Sequence, residues 1–191
     1  MHSMCWSADG SLATWAAAMA LAAATKEKTD PKLWLFLVLF TQMQLIEYFL
    51  WKNLKVPRLN ALGSQAAMLV ILLEPIAAMY LIEDTELRNK MLIAYGVWVA
   101  FFLSHRFDFR TTVGGNGHLK WNWLPSLMIW APWFLFFLPP LWISGHHLAF
   151  AAALGTLVMS SYFFGKYGTF SSMWCWIAVF SWVGVFIQSR S

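Results

Sequence analysis

Two carboxylates stand inside long apolar stretches of this sequence, where the chemistry open to them is proton or cation binding. Glu47 lies four residues before the end of the stretch 32–51. Glu74 lies twelve residues into the stretch 62–82 and so would sit deeper in a membrane. A charge at the centre of a bilayer costs at least ~2.5–3.5 kcal/mol on insertion scales. Glu74 is therefore expected to be protonated, to be paired or to face water, and both acids are candidates for a proton pathway.

Polar residues next to the two acids extend this pattern. Gln44 and Tyr48 lie on the same predicted helix as Glu47, at spacings that place all three on one face. Such a face is expected to turn towards other helices rather than towards lipid. Pro75 follows the deeper acid and removes an N–H from its helix, which frees a carbonyl one turn earlier for water, an ion or a plain kink. The alternative for the whole set is that its members tie helices together by hydrogen bonds.

A second set of chemistry-bearing residues is expected to share one membrane face if the chain crosses seven times. The set contains two cysteines, two histidines and four tryptophans: Cys5, Trp6, Trp51, His105, His118, Trp121, Trp174 and Cys175. The cysteines could form a disulfide on an oxidising side, join a histidine around a metal such as zinc, or stay free thiols among indole rings. No CxxC or HxxxH spacing supports a metal site, so none is predicted. Trp rings at a membrane boundary are most often interfacial anchors.

The elements that would position these residues are membrane-spanning helices. Hydrophobic residues make up 60% of the 191 and charged residues 12%, against roughly 45–50% and about 25% in soluble domains. This excludes a soluble enzyme, a disordered chain and a disulfide scaffold. A helix needs ~20 apolar residues to cross ~30 Å of hydrocarbon, and the stretches that qualify are about 8–24, 32–51, 62–82, 89–105, 124–143, 147–165 and 171–187. The predicted fold is all-α, a single-domain bundle of seven transmembrane helices.

The basic residues indicate neither a nucleic-acid partner nor an orientation. The 13 Lys and Arg are scattered through the predicted loops, seven on the side of the N-terminus and six on the other. These loops are short except for one, from Arg106 to Trp123. The positive-inside rule does not choose between such balanced sides. Residues 1–10 contain no Lys or Arg, which argues against a cleaved signal peptide. The expected partner is the lipid bilayer of a membrane that the sequence does not identify, with a homo-oligomer or a membrane-complex partner left open.

Several short motifs carry a resemblance to a known family. They are Met-Cys-Trp-Ser at 4–7, Gln-Leu-Ile-Glu-Tyr-Phe-Leu-Trp at 44–51, Glu-Pro at 74–75, Gly-His-Leu-Lys-Trp at 117–121 and Ser-Met-Trp-Cys-Trp at 172–176. With them the chain resembles a small family of multispan membrane proteins of uncharacterised activity that begin with Met-Cys-Trp. The resemblance spans most of the chain and implies a seven-helix bundle with a shared site on one face, whose chemistry it does not name. Here Met4 rather than the initiator precedes Cys5, a departure of three residues.

The sequence is consistent with three functions and identifies no cofactor. The first, slightly favoured, is a small channel or transporter for protons or a small solute. The second is a membrane-embedded enzyme or a metal or redox protein that uses the cysteines and histidines. The third is a structural or accessory membrane subunit. A retinal Schiff base is excluded because 171–187 contain no Lys, and no internal symmetry indicates an inverted-repeat transporter.

Overall fold

The computed structural model describes residues 7–124, 130–179 and 181–188, which are mostly helical. In chain order the helices are α1 (Ala8–Thr25), α2 (Pro31–Asn53), α3 (Pro57–Met79), α4 (Thr85–Leu103), α5 (Pro132–Ile143), α6 (His147–Phe164), α7 (Phe170–Ala178) and α8 (Ser181–Gln188). Two short strands, β1 (Thr111–Val113) and β2 (Leu119–Trp121), lie between α4 and α5. A 3₁₀ turn, Gly165–Tyr167, follows α6.

Three helical segments of the described chain are long and apolar enough to cross a membrane. They are α2, α3 and the segment His147–Tyr167, which is α6 with its 3₁₀ turn. The helical class predicted from composition is thereby confirmed, and these segments fit a membrane protein. Residues 125–129 of the predicted span 124–143 lie outside the described chain, and α5 covers its later part. The predicted span 171–187 corresponds to α7 and α8, and residue 180 between them lies outside the described chain.

Helix starts are set by short acidic caps and by proline. The Asp30 carboxylate accepts hydrogen bonds from the N–H groups of Lys32 and Leu33, each at 2.9 Å. Asp84 caps α4 in the same way. Such caps satisfy N–H groups that have no partner inside the helix. Proline occupies the first turn of three helices, at Pro31, Pro57 and Pro132, where its missing N–H removes no helical bond.

Helix α2 lies at the centre of the bundle. It packs against α1 and α3 and also contacts α7, while α5 packs on α3 and α6 packs on α7. The core between them is mainly aromatic, with Trp133 stacked on Phe137 at a centroid distance of 4.5 Å and Trp174 edge-on to both rings. In this arrangement Glu47 of α2 and Glu74 of α3 are both buried inside the bundle.

A β-hairpin occupies the stretch from Arg106 to Trp123, where the sequence predicts a long loop. Strands β1 and β2 pair antiparallel, with Thr111 opposite Trp121. The turn contains Gly117 at φ +83°, a conformation that glycine adopts without the steric cost of a Cβ. Asn60 of α3 fastens the hairpin, because its side chain donates to the Thr111 carbonyl and accepts from the Thr111 N–H, both at 2.8 Å. The hairpin therefore covers the end of the bundle where α2 ends and α3 begins.

Candidate functional site

Glu47 lies on the face of α2 that points into the bundle, and only 3% of its surface is exposed. Its Oε2 accepts a hydrogen bond from Gln44 Nε2 at 3.4 Å, and the Ser172 side chain of α7 lies close to the same carboxyl group. Within the described chain, Glu47 Oε1 and Gln44 Oε1 have no hydrogen-bond partner. This carboxyl group therefore keeps spare acceptor capacity although protein surrounds it.

Glu74 lies in α3 and is still more enclosed, with 1% of its surface exposed. Its Oε1 has no hydrogen-bond partner among the described residues. Tyr95 of α4 and Cys175 of α7 both lie within electrostatic range of its carboxyl group. Three helices thus meet around an acid that forms no ion pair with any basic residue of the described chain.

Helix α7 contacts both acids with one face. The buried thiol of Cys175 lies within electrostatic range of Glu74 and of Glu47. Ser171 and Ser172 precede Cys175 by four and three positions, spacings that place all three on one side of a helix. Because Ser172 lies close to Glu47 and Ser171 borders the space beside Glu74, this face of α7 runs beside both carboxyl groups.

A small cavity of about 10 Å³ adjoins Glu74. Its wall is mostly aromatic and includes Trp121. Ser171 and Cys175 border it as well. The volume suits about one water molecule. Trp121 Nε1 and Glu74 Oε1 both lack a hydrogen-bond partner within the described chain, so the residues around this cavity present one free donor and one free acceptor.

Pro75 frees a backbone carbonyl in α3, and a neighbouring helix supplies the missing donor. The carbonyl of Ile71 accepts a hydrogen bond from Trp133 Nε1 of α5 at 2.8 Å. One residue further on, the Leu72 carbonyl accepts from the Tyr95 hydroxyl at 2.7 Å. These two hydrogen bonds join α3 to α5 and to α4 beside Glu74. The carbonyl that Pro75 frees therefore already has a donor.

Tyr48 and Trp51 lie closer to the end of α2 than Glu47 does. The half-buried ring of Tyr48 sits under Lys52, whose Nζ is 5.8 Å from the ring centroid. Lys52 Nζ is in turn 3.9 Å from Asp9 of α1. Trp51 is half-buried and packs against the core. Both side chains therefore belong to the rim of the bundle, and Gln44 rather than Tyr48 touches the Glu47 carboxyl group.

Trp121 and Trp174 are buried, so the expectation that such rings anchor at the membrane boundary does not hold for these two. Trp121 stacks on Trp123 with ring centroids 5.3 Å apart. Trp174 Nε1 donates to the Ala153 carbonyl at 3.1 Å and to Thr156 Oγ1 at 3.0 Å, both on α6. The hairpin and α7 carry these rings into the core, where they enclose the space beside Glu74.

The two histidines of the predicted cluster make separate contacts. His118 is buried in the hairpin with its ring edge-on to Phe164 at 5.4 Å, and burial lowers the pKa of His118 to about 4 because desolvation disfavours the charged ring. His105 follows α4, and its Nδ1 lies 3.1 Å from the Phe101 carbonyl oxygen. Among residues 7–124, 130–179 and 181–188, no group of three or more His, Cys, Asp or Glu side chains could hold a metal ion.

Cys5 and Trp6, the remaining members of that cluster, lie outside the described residues. The alternatives of a disulfide or a metal site that includes Cys5 therefore stay predictions. Within the described chain, the hairpin, α3 and α7 do share one end of the bundle. Asn116 Nδ2 of the hairpin turn donates to Thr169 Oγ1, just before α7, at 2.8 Å, and the contact of Asn60 with Thr111 joins the start of α3 to the same end.

Sequence reasoning missed Ser171, Ser172, Tyr95 and Trp133 as members of this site. The two serines had a usable signal, since they precede Cys175 at helical spacings in an otherwise apolar stretch. Tyr95 and Trp133 had none, because each bonds to a backbone carbonyl of another helix. Such a partner depends on how two helices are packed and leaves no mark in the local sequence.

No family model, curated protein or solved structure matches this chain. The resemblance carried by the Met-Cys-Trp and Ser-Met-Trp-Cys-Trp motifs stays a prediction. The contacts around Glu47 and Glu74 are therefore the basis for a functional proposal.

Proposed function

We propose that this chain is a seven-span membrane protein that acts as a small channel or transporter, with the proton as its cargo and Glu47 and Glu74 as its proton sites. One observation carries the proposal. Two enclosed carboxyl groups on neighbouring helices each keep an oxygen without a partner in the described chain, and one polar face of α7 approaches both. Ionisable groups within a membrane are costly, so they are retained chiefly where they serve a function.

The order of contacts suggests a route for the proton. From the end of the bundle under the hairpin, the rim leads to Glu47, which lies beside Gln44 and Ser172. Cys175 lies near both Glu47 and Glu74. Proton exchange requires groups within hydrogen-bond reach or joined by one water, and a polar face of this kind supplies such groups.

The size of the cavity favours the proton over a larger solute. The space beside Glu74 has a volume of about 10 Å³, which suits about one water molecule. A solute larger than water would need the hairpin or the aromatic rings to move, whereas a proton needs only successive donors and acceptors. The apolar enclosure also makes an unpaired charge on either acid costly, so a carboxyl group that binds and releases a proton is favoured over a permanent ion.

Proton flux into liposomes tests the proposal. Purified protein is reconstituted with an entrapped pH-sensitive dye, and a pH gradient is applied across the membrane. We expect the wild-type protein to dissipate the gradient faster than empty liposomes do. Glu74→Gln and Glu47→Gln should each remove most of the protein-dependent rate, because an amide preserves the shape of the carboxyl group but cannot release its proton.

Glu86→Gln is the matched control for this experiment. Glu86 is an exposed acid of α4 that pairs with Lys90 at 2.6 Å, so its replacement should leave the flux unchanged. Equal rates in empty and protein-containing liposomes would contradict the proposal. Full flux in both Glu47→Gln and Glu74→Gln, together with lowered melting temperatures, would show instead that the two acids only hold helices together.

A further inference from the structure

A second cavity, of about 440 Å³, lies between α2, α5, α6 and α8. Its volume falls within the ~300–1,000 Å³ typical of small-molecule sites. Phe36 and Phe40 of α2 and Phe137 of α5 form one wall, and α6 contributes small side chains such as Ala152. No Asp, Glu, Lys or Arg is among the described residues that line it. The cavity is thus a large apolar space, distinct in character from the polar site at Glu74.

Helix α6 packs against α5 and α7, and this cavity opens beside it. Ser160 is the one buried residue of α6, while Leu148, Leu154 and Val158 are all exposed. In a membrane the medium next to such a helix is hydrocarbon. Water in an apolar space lacks the two to four polar partners it requires, so a lipid chain is the occupant that costs least.

One end of the cavity is polar and complements a negative charge. Gly145, His146 and His147 line it where α6 begins. No side chain of the described residues caps this helix, so its first N–H groups can bind an anion, and the helix dipole adds partial positive charge there.

We propose that an anionic phospholipid of the surrounding bilayer occupies this cavity. One acyl chain lies between α2, α5 and α6, and the phosphate group binds at the start of α6 beside His146 and His147. The apolar wall recognises the chain, and the uncapped N–H groups at the start of α6 recognise the phosphate. This site shares the ring of Trp174 with the space beside Glu74, but the proposal does not rest on the proton pathway.

Lipid binding to the purified full-length protein tests this proposal by native mass spectrometry from detergent. The probes are dioleoyl phosphatidylglycerol, which is anionic, and dioleoyl phosphatidylcholine, which has the same chains and no net charge. Ala152→Phe and Gly184→Leu fill the cavity from α6 and α8, and each should weaken phosphatidylglycerol binding about tenfold or more. A Cβ at Gly184 meets no atom within 4 Å, so this variant is expected to fold even if Ala152→Phe does not.

Gly155→Leu provides the matched control. Gly155 lies on α6 and does not line the cavity. A Cβ at this position likewise meets no atom within 4 Å, so the variant should bind phosphatidylglycerol as the wild type does. Unchanged binding in Gly184→Leu, or an equal loss in Gly155→Leu, would overturn the acyl-chain site.

His146→Glu tests the phosphate end of the site separately. A negative charge at the start of α6 repels the phosphate, so we expect phosphatidylglycerol binding to fall about tenfold while phosphatidylcholine binding stays the same. If the wild-type protein binds both lipids equally and His146→Glu changes neither, the headgroup assignment is wrong and an anionic lipid is not the occupant.

Discussion

Pro75 removes one backbone hydrogen bond from α3, and a tryptophan from another helix replaces it. The sequence alone predicts that the carbonyl one turn before a helical proline loses its partner. It does not reveal that Trp133, 62 positions away, donates to the Ile71 carbonyl. The same holds for Glu47, where Gln44 is a neighbour along α2 but Ser172 comes from α7. At this scale, local spacing identifies the unusual residue, and packing chooses its partner.

Replacing Trp133 should destabilise the protein through this single hydrogen bond. Trp133→Phe keeps an aromatic ring but leaves the Ile71 carbonyl without a donor, which should lower the free energy of unfolding by about 1–3 kcal/mol. Pro75→Ala restores a backbone N–H that can bond to the same carbonyl. In the Pro75→Ala background, Trp133→Phe should therefore cost about 1 kcal/mol less.

Unfolding of the four proteins in mixed detergent micelles measures this double-mutant cycle. Trp133→Phe removes the same ring volume in both backgrounds. The difference between its two costs in free energy of unfolding therefore measures the hydrogen bond to Ile71. An equal cost of Trp133→Phe in both backgrounds would mean that ring packing, not the bond to Ile71, accounts for the loss.

At the scale of elements, the hairpin is the part of the structure for which the sequence predicts only a loop. A signal for it is present, since β-branched Thr111–Val113 and the stretch Leu119–Trp121 flank a glycine-rich turn. Strands this short are not stable alone, so the local pattern could not decide the outcome. The contacts that settle it come from Asn60 of α3 and from Thr169 before α7.

Releasing the hairpin should expose the site beneath it. Asn60→Ala removes the side chain that pairs with both backbone groups of Thr111, at a cost of about 1–3 kcal/mol for each buried group left without a partner. Because β2 carries Trp121 to the cavity that Cys175 also borders, we expect the Cys175 thiol to react faster with a maleimide in detergent.

The labelling is carried out in a Cys5→Ser background so that Cys175 is the thiol that reacts. Asn53→Ala is the matched control, since Asn53 bonds to the Phe49 carbonyl within its own helix and does not touch the hairpin. The role given to the hairpin is wrong if Asn60→Ala and Asn53→Ala leave the rate of Cys175 modification equally low.

At the scale of the whole molecule, the proposed number of membrane crossings follows from the succession of apolar helices along the chain. Three described segments meet the length and hydropathy of a span, and seven crossings stay a prediction. The proposal of one covered end rests on this number, because four crossings before the hairpin and six before α7 place both on the same side as the N-terminus. Short connections between successive helices favour such an up-and-down arrangement.

Single cysteines introduced into a Cys5→Ser, Cys175→Ser protein test the number of crossings. Seven crossings predict that a membrane-impermeant maleimide labels two exclusive sets of positions in sealed vesicles. Cysteines at Glu27, Glu83 and His146 should react from one side, and cysteines at Lys55, Gly115 and Lys166 from the other. Labelling of positions 146 and 166 from the same side would show that α6 does not cross, and the seven-span arrangement would be wrong.

Composition and hydropathy by themselves determined that this chain is helical and apolar enough for a membrane, because the cost of placing a side chain in water or lipid depends mainly on its type. They also singled out Glu47, Glu74 and Pro75, since a polar residue or a proline stands out within an apolar helix. Only the tertiary structure decided which groups surround them. Hydrogen bonds from Tyr95 and Trp133 join segments far apart in the sequence, and their formation depends on how each helix is rotated and packed.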